Sequence, residues 1–315
     1  MTAPAGTRVE ILAEVPALGR SFARGAAGSA VDAARRTLPG APGGLALPEV
    51  AYRVEHVATD LPDVAARLAA YRRVVGEPPP TGPVDHLPAG FLHVLGFPVA
   101  TALMVRGDFP LPLVGLVHLA NAVTLTRPVA LGETLRVTAW AENLRPHRRG
   151  VQVDLVTEVA TSGETAYRGV STYLAKGFTL PDDVTAAASS GTDDRRETFV
   201  APVPTARWRL DAGTGRAYGA VSGDRNPIHT SALGAKAFGF RRAIAHGMYT
   251  AARALAEVGP ARGDAYDWSV EFATPVLLPG TVDVAITRGP AGFDYVGWDA
   301  RHGRPHLTGT VTPRA

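Results

Sequence analysis

No cysteine occurs in the 315 residues. Its absence excludes disulfides, thiolate-held metals and a cysteine nucleophile, and it fits a reducing compartment, so a cytoplasmic location is expected. Long apolar runs are also missing. Nothing approaches the roughly 18 consecutive apolar residues of a spanning helix, and the N-terminus has no continuous apolar stretch behind positive residues, so it does not read as a secretory signal. Charge of one sign is scarce as well: 32 Lys and Arg face 29 Asp and Glu, for a formal net charge of +3. No basic block interleaves with aromatics, and nucleic acid is not an expected partner.

What is present is a globular composition, 46% hydrophobic and 19% charged, in a chain long enough for two domains. Residues 1–47 read as an N-terminal arm and linker. Ile11 to Arg36 could form a loose amphipathic helix broken by Pro16, and the Pro/Gly-rich 39–48 reads as a connection. A first domain is expected over 48–178, a linker over 179–198 and a second domain over 199–315. In the first domain a helix is expected at Val64–Val75 and another at Val99–Val105, with Pro98 in its first turn. Alternating Val- and Thr-rich strands follow at Leu116–Thr126, Thr134–Ala141, Val151–Ala160 and Thr165–Leu174. In the second domain a helix is expected at Gly247–Val258, rich in alanines that let strands approach it closely, with strands at Asp267–Phe272, Thr281–Arg288, Asp294–Asp299 and His306–Val311.

An internal repeat links the halves. Tyr71-x-x-Val74-x-Gly76-Glu77 matches Tyr218-x-x-Val221-x-Gly223-Asp224, and Pro128-Val129-x-Leu131-x-x-Thr134 matches Pro275-Val276-x-Leu278-x-x-Thr281. Where the second copy continues Asp224-Arg225-Asn226-Pro227-Ile228-His229, the first has Glu77-Pro78-Pro79-Pro80-Thr81-Gly82. The first half has kept the scaffold and lost the base.

The second copy sets a carboxylate, Asp224, and an imidazole, His229, close together, with Pro227 stiffening the turn and Asn226 offering an amide that could fix either side chain. Gly247 follows at the start of a helix, where free N–H groups and a partial positive charge are presented. An acid, a base and an oxyanion donor suit proton transfer next to a carbonyl. Taken alone, Asp224 would read as a turn former; the combination is what argues for chemistry. The letters of Asp224, His229 and His246 also admit a metal site, but their spacing fits no standard zinc pattern, and Ser222 lacks the Gly-x-Ser-x-Gly elbow of a hydrolase triad.

Asp224-x-Asn226-Pro227-x-His229, Ala235-x-x-Phe238-Gly239 and Ala245-His246-Gly247-Met248 resemble the signature of MaoC-like dehydratases and R-specific enoyl-CoA hydratases. A weaker similarity to two-domain 3-hydroxyacyl-thioester dehydratases extends over most of 48–315, including Leu144–Gly150 and Arg304–Thr308. The resemblance implies an α+β double hot-dog fold: two antiparallel sheets, each wrapping a central helix. It implies reversible dehydration of (3R)-3-hydroxyacyl thioesters of coenzyme A or acyl carrier protein, with no cofactor and no metal. Asp224 and His229 would be catalytic, Asn226 would orient them through its side chain, and Gly247 would hold the thioester oxygen. The degenerate first half would house the acyl tail. Ser222 and His246 lie near the substrate in this reading. Arg241 and Arg242 are placed to meet phosphate, as is the cluster Arg145, His147, Arg148 and Arg149. Two rivals stand beside it, a non-catalytic acyl-thioester-binding subunit and a hot-dog thioesterase, and pairing of two copies as a homodimer is left open.

Overall fold

The computed structural model describes residues 3, 4, 6–25, 45–80, 82–180 and 199–314. Most of the two expected linkers (26–44 and 181–198) and Thr81 lie outside the described residues. So does most of the helix expected from Ile11 to Arg36; within 6–25 the chain forms strand β1 (Arg8–Ile11) and a helical stretch at residues 18–25.

The first half continues with β2 (Val50–Val57), α1 (Pro62–Val75), α2 (Ala89–Met104), β3 (Val117–Leu125), β4 (Leu135–His147), β5 (Gly150–Thr161) and β6 (Glu164–Lys176). The second half runs β7 (Ala206–Leu210), α3 (Thr214–Ser222), α4 (Pro227–Thr230), α5 (Ala232–Ala237), α6 (Gly247–Val258), then β8 (Tyr266–Phe272), β9 (Gly280–Gly289), β10 (Gly292–Asp299) and β11 (Pro305–Pro313). The strands join in one sheet, ordered β1-β2-β4-β5-β6-β3-β8-β11-β10-β9-β7. Outward from the central β3–β8 pair, the two halves repeat the same order, and β1 adds one parallel strand at the outer edge of the first. This is the double hot-dog architecture.

The two expected sheets join edge to edge into one continuous sheet. β3 and β8 pair antiparallel from Ala120↔Glu271 to Leu125↔Tyr266, and each thereby satisfies the edge that the other half would leave unpaired. The halves also share a core. Leu92 and Val137 of the first belong to the same buried cluster as Ala251 and Trp268 of the second.

The helix expected at Val99–Val105, with Pro98 in its first turn, in fact begins at Ala89 and carries Pro98 inside it. Almost every residue of α2 is buried, so tertiary burial on all sides outweighs the backbone hydrogen bond that proline removes. Gly96 lies so close to Thr157 of β5 that a Cβ would collide with that side chain. The short strands β2 and β7 escaped the sequence reading, as did the first turns of α2.

Glu77, the residue equivalent to Asp224, has become structural. It accepts a hydrogen bond from Arg262 beyond α6, in a pair whose side chains are 9% and 13% exposed. From Glu77 to the start of α2 the chain advances 12 positions; from Asp224 to the start of α6 it advances 23. The first half therefore lacks room for the segment that carries α4 and α5. No helix among the described residues is long and apolar enough to cross a membrane.

Candidate functional site

The site is built on α3. This helix ends at Gly223, whose φ of 81° places it in the left-handed region that favours glycine, and the chain turns there into Asp224. Gly215 and Gly219, four apart on one face, let the turn lie directly against the helix backbone. A Cβ on Gly219 would stand 2.8 Å from the carbonyl oxygen of Asp224, and one on Gly215 would collide with that of His229. The Ser222 hydroxyl, buried, accepts the N–H of Asp224 at 3.2 Å. Asp224 Oδ1 accepts the N–H of Asn226 at 3.1 Å, so Asn226 holds the carboxylate through its backbone. Its side chain caps α4 instead, accepting the N–H of Ile228 at 3.2 Å. This departs from the expected orienting amide.

His229 lies on α4, with Nδ1 at 2.9 Å from the carbonyl of Ile244. A carbonyl can only accept, so the proton sits on Nδ1 and Nε2 carries a free lone pair. His246 precedes α6, and its Nε2 stands 2.9 Å from the carbonyl of Asp224. The same nitrogen is 3.7 Å from the Asp224 carboxylate. The two imidazoles stack with centroids 3.7 Å apart and planes 25° apart. One donor atom from each of Asp224, His229 and His246 falls within 4.8 Å of the others. A cation could bridge such a trio. Yet the near-parallel rings send their in-plane lone pairs side by side rather than toward one point, and Nε2 of His246 and Nδ1 of His229 are already engaged.

Gly247 opens α6 beside this cluster. The helix carbonyl–amide pattern begins with Tyr249 and Thr250 donating to His246, and among the described residues no acceptor takes the N–H of Gly247. A Cβ there would meet the ring of Phe272 at 2.9 Å. Glycine is required by this packing as well as by access to the amide.

Burial dominates the electrostatics. It pushes the Asp224 carboxyl above its ordinary range, against the opposing pull of His229 and the Asn226 amide. It pushes His229 below the ordinary imidazole value, against the pull of Asp224. His246 falls well below, through burial first and the His229 ring second. A neutral acid beside a neutral imidazole is what this environment favours. The Asp224 side chain nevertheless keeps 18% exposure, so the cluster is not sealed in the core. Around the outside of the same turn is a cavity of about 690 Å³, bordered by Arg67, Pro98, Arg225, Asn226 and the N-terminal residues Leu18 and Phe22.

The arginines fare differently. Arg241 and Arg242 are exposed; Arg242 donates to the carbonyl of Pro279 at 3.0 Å, and no hydrogen bond or ion pair ties either to the acid–imidazole cluster. Arg145 is held by Asp154 at 2.9 Å, which gives it a structural partner on β5. Residues that sequence reasoning passed over include Ile244, Phe272, Gly215 and Gly219. The last two carried a legible signal, a Gly-x-x-x-Gly spacing in front of the motif. Phe272 carried none, because only the sheet brings it to Gly247.

Comparison with known proteins points in one direction. The MaoC-like domain family matches residues 195–290. The 3-hydroxyacyl-thioester dehydratase X of Mycobacterium tuberculosis is 38% identical over 279 residues, covering 89% of this chain and 95% of that protein. The crystal structure of HtdX from the same organism superposes with a TM-score of 0.71 at 37% identity, over 84% of this chain and all of that one. A MaoC-like dehydratase from Phytophthora capsici shares the fold, with a TM-score of 0.62 at 17% identity over 84% of this chain and 95% of the other.

Proposed function

The chain belongs to the MaoC-like dehydratase family, and from that premise we propose that it interconverts (3R)-3-hydroxyacyl and trans-2-enoyl thioesters by reversible loss of water. The observation that carries the reading is the meeting of the Asp224 carboxyl with the imidazoles of His229 and His246, next to a helix start whose first amide has no acceptor among the described residues. A 3-hydroxyacyl thioester must lose a proton from C2 and a hydroxyl from C3. The C2 proton is weakly acidic, and charge builds on the thioester oxygen as it leaves. The Gly247 N–H meets that oxygen without reorganising.

His229 Nε2, with its lone pair free, takes the C2 proton. Asp224, whose carboxyl burial pushes toward its protonated form, gives its proton to the departing hydroxyl, and water leaves. The C2–H pair of electrons becomes the new C2–C3 double bond as the C3–O bond breaks. The transient carboxylate and imidazolium then exchange the proton and restore the neutral pair. In the hydration direction the same two groups act in reverse. Ser222 and His246 hold the Asp224 backbone, the former at its N–H and the latter at its carbonyl; their part is positioning. In this reading residues 199–315 form the catalytic domain and 48–178 the domain that receives the acyl chain, in the cytoplasm, with the thioester carried by coenzyme A or acyl carrier protein.

The test mixes the protein with a trans-2-enoyl-CoA and follows enoyl absorbance beside free thiol. Enoyl loss alone, with a (3R) product on chiral chromatography, is the expected result. Asp224→Asn and His229→Gln should each lower the rate about a hundred- to ten-thousandfold. Thiol release would favour a thioesterase, and binding without either change would favour a passive subunit. Undiminished turnover in the double variant would remove the dyad from the mechanism.

A further inference from the structure

α3 ends in the turn that carries Asp224, and what holds that end comes from the other half of the chain. The last four carbonyls of a helix lack partners within it. In α3 the carbonyl of Gly219 takes the N–H of Gly223 at 3.0 Å. Those of Val221 and Ser222 are taken by Arg67 of α1, whose Nε donates at 2.6 Å to the first and Nη2 at 3.3 Å to the second. A cation is favoured at a helix C-terminus, where the carbonyls sum to a partial negative charge. The guanidinium carbon of Arg67 lies 6.0 Å from the ring centre of Phe91, buried on α2, and this limits where the fork can point. Among the described residues no carboxylate pairs with Arg67; Asp63, one turn earlier, acts on its charge from a distance.

Ser222 is the link to the acid. Its carbonyl accepts from Arg67, and its hydroxyl accepts the N–H of Asp224 at 3.2 Å. Toward its outer side the turn is loosely covered. Leu18 reaches Gly223, where a Cβ would stand 2.9 Å from its side chain, but Gly223, Arg225 and Asn226 border the cavity of about 690 Å³. With that space beside it, the end of α3 depends on the Arg67 fork for its place. The reciprocal contact is different in kind. Arg262 of the second half reaches Glu77, just past the end of α1, and holds a turn that has no base. The repeat sets Arg67 opposite Thr214, four positions before Tyr71 and Tyr218, so the brace on the Asp224 turn is not part of the shared scaffold.

We propose that Arg67 is a positioning residue for the dehydration: by gripping the carbonyls of Val221 and Ser222 from the opposite half, it fixes the turn that carries Asp224. The first half has Gly82 where the second has His229, and it thus helps to place an acid–base pair that it lacks itself. Arg67 acts through Ser222 and not on the substrate. The inference rests on the dehydratase reading and adds a residue to it.

The experiment measures kcat and KM for hydration of a trans-2-enoyl-CoA in wild type, Arg67→Met, Arg67→Lys and Glu77→Gln, each corrected for the folded fraction read by circular dichroism. Arg67→Met keeps an unbranched apolar stem and removes the donors. It should lower kcat about tenfold to a hundredfold, because a misplacement of about 1 Å reaches a hundredfold, and leave KM close to the wild-type value. Arg67→Lys, a point charge that cannot span both carbonyls with a planar fork, should fall between the two. Glu77→Gln weakens the other brace and should lose stability while keeping kcat per folded molecule, and that contrast separates positioning from stability. A wild-type kcat in Arg67→Met would overturn the inference, as would an equal loss of kcat in Glu77→Gln. A rise in KM at unchanged kcat would overturn it too, by making Arg67 a substrate contact. If Arg67→Met does not fold, Arg67→Lys decides by the same ratio, an unaltered kcat counting against the inference. All of these outcomes leave the dehydratase reading standing, whereas absence of hydration by wild type would sink both.

Discussion

Lowering the pH from 7 to 5 should weaken the fold, and the buried histidines set the size of the effect. His93 is held neutral by burial, its pKa lowered to about 4, and His118 to about 3; His246 moves in the same direction. An unfolded chain protonates its histidines near 6.5, but these folded rings do not. The stability they contribute is therefore fully present above 6.5 and lost as the pH falls through the window from about 6.5 toward 4 or 3. Each pH unit in that window costs about 1.4 kcal/mol per histidine, so by pH 5 His93 and His118 each remove about 2 kcal/mol. Together that is a large share of the 5–15 kcal/mol typical of folded proteins. Asp224 and Glu158 act oppositely, because burial raises both carboxyls and the fold gains stability as they take up protons. The discriminating quantity is thus a difference between proteins. Urea unfolding of wild type and His93→Phe, followed by circular dichroism at pH 7 and pH 5, should show the variant losing about 2 kcal/mol less than wild type across that interval. Equal losses would refute the argument, since they would mean that His93 takes up its proton in the folded state as readily as in the unfolded one.

Gly219→Ala should drive a Cβ into the Asp224 carbonyl, 2.8 Å away, costing about 1–3 kcal/mol in denaturant unfolding and lowering kcat more than KM as the loop shifts. Glu77→Gln removes the charge facing Arg262 in a largely buried pair; a loss of about 3 kcal/mol is expected on urea unfolding, with little effect on the rate of the protein that remains folded. Charge reversal at Arg241 and Arg242, both exposed, should raise KM for a coenzyme A thioester and leave kcat unchanged if they meet its phosphates. The increase should shrink as salt is added, and unchanged kinetics would free both residues from that role.

The candidate motif was legible because its parts are close in sequence and each is chemically unusual for its place. Asp224, Asn226, Pro227 and His229 fall within six residues, and Gly247 opens a helix that alanine-rich periodicity announces. The repeat marked by Tyr71 and Tyr218 likewise anticipated two halves built to one order, and their rings lie 6.4 Å apart in the fold. The position of Glu77 opposite Asp224 in the repeat was legible, but its present partner was not. Arg262 lies 185 residues away, and no local pattern pairs them.

What the sequence determined by itself was local: a tight turn between two helices, an acid and a base at fixed spacing, and strands whose alternation demands a sheet. Only the tertiary structure decided that the two sheets fuse through β3 and β8, that Asn226 steadies Asp224 by its backbone, and that α2 runs through Pro98. It also brought the ring of Phe272 against Gly247. The reason is physical. Turn and helix signals act over a few residues, whereas burial and strand pairing join positions more than a hundred residues apart, and it is burial that shifts the Asp224 carboxyl up and the His229 and His246 imidazoles down.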